Sequence, residues 1–203
     1  MIESRYFLKL LQFVGATTRE RTAPKRKALT EQRRKHYKSK NWTEYENVVR
    51  SFIEVEDTAA QTLLKEVLDI LNIMEQEFAM THQMLASNPQ YAEFVMAAQQ
   101  GKLQQPNVNK QPTLTKQKTL ETLAHQEELT IKQMAAMKDK PMPESGDQME
   151  MMVTMMVEQN KMQDEMHERT GVENDDFEDS LLYFVSKDPE VAQAMQKYMM
   201  KMR

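Results

Sequence analysis

Four histidines, His36, His82, His125 and His167, are the side chains of this chain best suited to hold a metal or to move a proton near neutral pH. Either use needs them to converge in space, and each falls on a different predicted helix. His82 and His167 stand near predicted helix ends, where an imidazole commonly meets the terminal carbonyls. The acidic run Glu173, Asp175, Asp176, Glu178 and Asp179 invites a calcium reading. A loop of the EF-hand type needs glycine at its sixth position and glutamate at its twelfth. Counted from Asp175, those positions hold Ser180 and Ser186. The run is read instead as acidic residues gathered at a helix N-terminus, where they favour the macrodipole.

The chain has no cysteine, which removes disulfides, thiolate metal sites and cysteine nucleophiles together. It also lacks a glycine-rich phosphate loop, a nucleophile elbow and an HExxH helix. No catalytic residue, metal ligand or cofactor site is therefore assigned, and the chain is expected to have no small-molecule substrate.

Two compositional biases point to macromolecular contacts. Residues 1–40 hold twelve Lys/Arg against three Asp/Glu, and residues 41–203 hold fifteen against twenty-eight, so a net charge of -4 conceals a bipolar chain. The basic block Arg19, Arg21, Lys25, Arg26, Lys27, Arg33, Arg34, Lys35, Lys38 and Lys40 is expected to bind a polyanion. An acidic protein surface is the favoured partner. RNA stands behind it, because only Tyr37 and Trp42 could stack on bases. An anionic membrane is the third reading, with Tyr6, Phe7, Leu10 and Leu11 as anchors. Fourteen of nineteen methionines lie between Met134 and Met202. Methionine is unbranched and polarizable, so a face built from it adapts to varied shapes or fills helix–helix gaps. Met152, Met155, Met156, Met162, Met166, Met195, Met199 and Met202 are assigned to that face.

The elements that would carry these residues are helical. Four glycines and seven prolines leave few turns, and Ala, Leu, Met, Gln, Glu and Lys all favour helix. A short apolar helix is expected over 2–14, ending at Gly15, and a basic one from Pro24 to about residue 40. The latter has only Ala28, Leu29 and Tyr37 to bury, so residues 1–41 read as an arm ordered by a partner. Thr43 and Glu46 form a capping-box pattern. Beyond them Val48, Phe52, Val55, Ala59, Leu63, Val67, Ile70, Met74 and Phe78 predict one helix over 43–86, about 65 Å long.

Asn88-Pro89 starts a short helix that Gly101 closes, within a segment spanning 42–101. Residues 102–113 form a polar linker, and a long helix follows over 114–139 in the segment 114–140. Pro141 to Gly146 interrupts. Asp147 is positioned to cap a methionine-rich helix over 148–169, with Met149, Met152, Met155, Met156, Met162 and Met166 inward. Asn174 starts a short helix, and Asp188-Pro189 caps the last one, completing a bundle over 147–203. The expected architecture is all-α: an elongated hairpin or coiled-coil-like rod of helices 43–86 and 114–139, a small Met-rich C-terminal bundle, and a basic N-terminal arm.

Asn88-Pro89 and Asp188-Pro189-Glu190-Val191, set among Met, Gln and Ala, resemble the DP modules of Hop-type co-chaperones. The resemblance covers Met149–Met202 and, more loosely, Leu68–Gln100. It implies short helices around a groove for apolar client segments, but the long predicted helices depart from that pattern and the function is not carried over.

The expected function is that of a non-catalytic structural or adaptor subunit of a large eukaryotic assembly, joined to neighbouring protein subunits through helical faces. The alternatives are a structural subunit of a mitochondrial complex, a co-chaperone-like binder of apolar client segments, and an RNA-binding assembly subunit. The cytoplasm, with a cilium or the cytoskeleton, is the expected setting and the mitochondrion the runner-up. Arg-rich composition favours a mitochondrial presequence, and Glu3, Glu20 and Glu31 weigh against one.

Overall fold

Phe7, Leu10, Leu11 and Val14 recur at the spacing of one helix face, and the helix they begin runs well past Gly15. The computed structural model describes residues 2–101, 111–138 and 148–202. Among them there is helix and no strand, so the fold class is all-α. Contacts divide the chain into two compact units, Met1–Gln105 and Pro106–Arg203.

In the first unit, α1 (Ser4–Ser39) and α2 (Trp42–Leu71) form a helical hairpin, followed by α3 (Glu75–Ala86) and α4 (Ala92–Gln99). One continuous α1 replaces the two expected N-terminal helices. Gly15 is not a cap and Pro24 is not a first-turn residue, for both lie inside α1. Proline at 24 removes the N–H that would meet the Glu20 carbonyl, but Glu20 is exposed and water can serve it. The helix continues because its face is packed along α2, and packing outweighs local propensity. Residues 1–41 are thus not an arm awaiting order, since α1 packs within its own unit.

Lys40, in the left-handed region at φ 54°, closes α1 with bonds from Lys40 N–H to the Tyr37 carbonyl and from Asn41 N–H to that of His36. Asn41, not Thr43, caps α2, its side chain accepting from the Glu44 N–H at 3.4 Å. Glu46 pairs instead with Arg50 at 2.6 Å. The expected helix 43–86 is two helices. Asn72 takes φ 52°, and its N–H bonds back to the Asp69 carbonyl while that of Ile73 reaches Leu68. Asparagine tolerates this geometry where other non-glycine residues rarely do. The break lets Phe78 and Leu85 of α3 fold back onto Phe7, Leu10, Leu11 and Val14, with Leu63, Leu68, Val95 and Ala98 completing the core. The Phe7 and Phe78 rings lie 5.0 Å apart.

In the second unit, α5 (Lys116–Lys138), α6 (Gln148–Thr170), α7 (Asn174–Lys187) and α8 (Pro189–Lys201) form a helical cluster. α5 contacts each of the other three, and within the first unit α2 pairs with α1. Leu123, Val172 and Phe177 form a core joined by Leu114, Leu181, Ala194, Met195 and Tyr198. The segment leading into α5 is tied down where the Leu114 N–H donates to the buried Ser180 hydroxyl. Asp188 caps α8 as its sequence predicts, accepting from the Glu190 and Val191 N–H groups at 2.9 and 3.4 Å. Asn88-Pro89 behaves differently. Its side chain accepts from Gln90 N–H in a turn, and α4 begins only at Ala92, so the two similar sequences do not build the same helix start. Most of the 102–113 linker, the 141–146 interruption and Asp147 lie outside the described residues.

Candidate interaction surfaces

The basic block is sorted by the hairpin into two sets. Arg26 lies over the Phe52 ring at 5.3 Å and reaches Glu56 at 3.3 Å, and Arg21 reaches Glu66 at 3.4 Å. Burial raises the Glu56 carboxyl above its usual range, while Arg26 and then Arg19 pull it back down. Arg33 is buried, and Arg19 and Arg34 are half-buried with contacts of their own. The acidic surface expected of a partner is thus supplied in part by α2 of the same chain. A guanidinium makes a planar, weakly hydrated fork on a long apolar stem, so arginine suits the half-buried seam better than lysine does.

The second set is exposed. Lys25, Lys27, Lys35, Lys38 and Lys40 all face solvent. Lys27, Lys35 and Lys38 fall at i, i+8 and i+11, which places them along one stripe of α1 about 16 Å long. Glu31 shares that stripe and reduces its charge. At the end of the hairpin Tyr37, Trp42 and Tyr45 pack against one another with centroids 5.8 to 6.2 Å apart. The two rings considered for base stacking are therefore engaged with each other, although Trp42 keeps an exposed side.

The methionine face is also divided. Among the described side chains Val153 and Val157, at i and i+4, are buried in the first half of α6, while Met152 and Met155 of the expected inward stripe are exposed and Met151 joins them; Met149 lies outside the described side chains. Met156 and Met162 are half-buried, and of the α6 methionines assigned to the face Met166 alone is buried. The inward stripe is rotated from the one expected, because compact valines take the tight positions and the long flexible side chains flank them. On α8, Met195 is half-buried and Met199 and Met200 are exposed, and Met202, just past its end, is half-buried. Thr130 brings its hydroxyl within 3.8 Å of the Met162 sulfur and 3.4 Å of the Tyr198 hydroxyl.

Two of the four histidines, His82 and His167, meet neighbouring side chains. His82 stacks on Phe78 with centroids 6.4 Å apart, lies 6.1 Å from Phe7, and meets the Gln99 side chain at 2.9 Å. His167 approaches Glu173 at 3.3 Å. Among the described residues no three His, Asp or Glu side chains are grouped to hold a metal. The acidic run does surround the start of α7, where Asp175 and Asp176 lie in the first turn. A polar clamp that the sequence did not signal joins Lys116 to Asp188 at 2.8 Å and to Glu190 at 2.6 Å. The Lys116 ammonium, then the two backbone N–H groups of the cap, hold the Asp188 carboxyl below its usual range, and hydrogen bonds to Asp188 and then Glu190 raise the Lys116 amine. The clamp ties the start of α5 to the start of α8.

Between the first half of α1 and the end of α2 lies an open apolar groove of about 370 Å³, lined by Tyr6, Lys9, Leu10, Phe13, Val67, Ile70 and Leu71. The apolar character of Tyr6, Leu10 and Phe13 predicts that all three are kept from water. Leu10 is buried, but Tyr6 and Phe13 face outward. Among the described residues no helix is long and apolar enough to cross a membrane. Comparison of the chain with protein families, with curated proteins and with solved structures found no match.

Proposed function

We propose that this chain is a non-catalytic adaptor subunit of a larger protein assembly, holding an acidic neighbour along the lysine stripe of α1 and apolar neighbours on its exposed methionines. The observation that carries the reading is the sorting of the basic block. Arg26 meets Glu56 in the half-buried α1–α2 seam and exposed Arg21 reaches Glu66 beside it, while Lys27, Lys35 and Lys38 are left along an outer stripe. Cations not needed for the seam remain open to a partner, and a solvated row of them speeds and orients encounter with an acidic surface. The exposed Met151, Met152 and Met155 of α6 support the same reading, since flexible thioethers accommodate partners of different shape. A cytoskeletal or ciliary setting remains the first proposal for the assembly, resting on this basic, cysteine-free helical design alone.

The test compares the full chain with a Lys27→Glu/Lys35→Glu/Lys38→Glu variant, each titrated with poly-glutamate and with oligouridine. Because all three side chains are exposed, circular dichroism should be unchanged. The wild-type chain is expected to bind poly-glutamate, and the variant to bind about tenfold or more weakly. Equal binding by both chains would remove the stripe from the account. Oligouridine bound tighter than poly-glutamate, with a steep salt dependence, would transfer the function to RNA.

A further inference from the structure

Among the described residues, Met162 is the one methionine whose sulfur meets a hydrogen-bond donor. It is half-buried on α6, with the Thr130 hydroxyl of α5 at 3.8 Å, and the Tyr198 hydroxyl of α8 stands 3.4 Å from that of Thr130. A thioether is a weak acceptor, so the contact itself adds little. Thr130 has one hydroxyl proton, and the Gln126 carbonyl at 2.8 Å is the better acceptor for it. Inside α5 that carbonyl also receives the Thr130 N–H, so it does not depend on the hydroxyl. The proton is free to turn toward a stronger acceptor, and Tyr198 brings a second O–H beside it.

Oxidation of the sulfur creates such an acceptor. A hydroperoxide places its outer oxygen on Sδ: an S–O bond forms, the O–O bond breaks, and sulfur gives up two electrons. The proton of the transferred oxygen moves to the leaving oxygen, which departs as water when the oxidant is hydrogen peroxide. A sulfoxide buried without a donor carries the cost of any unsatisfied polar group, as it would at Met166, whose buried sulfur meets none. At Met162 an oxygen added on the side of Thr130 shortens the 3.8 Å gap to hydrogen-bond distance.

We infer that Met162 is an oxidation site built to keep its sulfoxide. The Thr130 and Tyr198 hydroxyls hold the added oxygen, so α5, α6 and α8 stay packed together in the oxidised state. The site is separate from the lysine stripe of α1 and from the exposed methionines of α6, so neither proposal depends on the other.

The test treats the full chain and its Thr130→Val, Tyr198→Phe and Met162→Leu variants with hydrogen peroxide, and follows each by peptide mass spectra and thermal melting. Met162 is expected to oxidise after exposed Met152 and before buried Met166. Sulfoxides elsewhere act in every chain, and Met162→Leu measures that background. The wild type should lose no more than Met162→Leu, while Thr130→Val and Tyr198→Phe should each lose about 4 °C or more beyond it. Both substitutions nearly keep the side-chain shape, and each loss is taken from the same variant before oxidation. Equal losses with and without the hydroxyls overturn the inference, as does a Met162 that stays reduced until Met166 is oxidised.

Discussion

Phe7→Ala is expected to lower stability by roughly 3–5 kcal/mol, the largest effect of any single core truncation in the first unit. Phe7 is fully buried and belongs to the first turn of α1, yet its ring meets Phe78 at 5.0 Å and His82 at 6.1 Å, both on α3. Removing the ring takes away the contact that holds the folded-back α3, and the surrounding backbone cannot close the void without moving a whole helix. A domain of this size has about 5–15 kcal/mol in total, so the variant should sit near the threshold of unfolding at 37 °C. Urea titration followed by circular dichroism measures the loss, and hydrogen exchange should find the α3 amides the first to lose protection. A loss below about 1 kcal/mol would mean that Phe7 is not the anchor described here.

Gly15→Ala comes second and has the opposite sign from the one helix propensity gives. In an exposed helix interior the change would stabilise by about 1 kcal/mol. Here a Cβ at position 15 would collide with the Gln99 carbonyl oxygen and stand 2.6 Å from that of Ala98 and 2.6 Å from the Gly101 nitrogen. All three are backbone atoms, so no rotamer change relieves the clash and α4 must withdraw as a unit. Gln12, which donates to the Gly101 carbonyl at 2.8 Å, would lose its partner in the same movement. Overpacking of this kind costs about 1–3 kcal/mol, and Gly15→Ala should therefore melt earlier than the wild type, with α4 amides exchanging freely. A variant that melts higher would show that α4 does not dock at this glycine.

The two positions also show what the sequence could and could not convey. Gly15 was legible as a special residue, but glycine serves equally as a helix stop and as a gap for a crossing backbone, and only the location of α4 decides between them. Pro24 was ambiguous in the same way, because a first-turn proline and a proline held inside a packed helix have one local signature. Asn72 carries no break in the apolar period, which passes through it from Leu63 to Phe78 with little change of phase. Its capacity for positive φ was the available signal. Of the caps that depend only on neighbouring residues, Asp188 with Pro189 is legible, whereas the Thr43–Glu46 pattern and Asn88-Pro89 mislead about where α2 and α4 begin.

The interaction surfaces divide along similar lines. Charge asymmetry marked the basic block correctly as unusual, yet composition cannot say which cations a neighbouring helix will take. That depended on Glu56 and Glu66 being one hairpin away, a pairing set by tertiary structure. On α6, a count of methionines suggested an inward stripe, whereas the valines at 153 and 157 were the better guide to the buried side. The Tyr6–Phe13 groove had no sequence signal beyond apolar residues on a face, which reads as core until the covering element proves to be missing.

The central claim is that the outward side chains of this molecule are completed by neighbouring proteins. Methionine oxidation by peroxide, followed peptide by peptide in mass spectra, tests it most directly because thioether reactivity follows exposure. Met152 and Met155 should oxidise quickly in the purified chain and buried Met166 slowly. In a gentle extract of the cells that make the protein, at the same effective peroxide dose, Met152 and Met155 should be protected several-fold while Met166 is unchanged. Equal oxidation of Met152 and Met155 in the purified chain and in the extract would contradict the account.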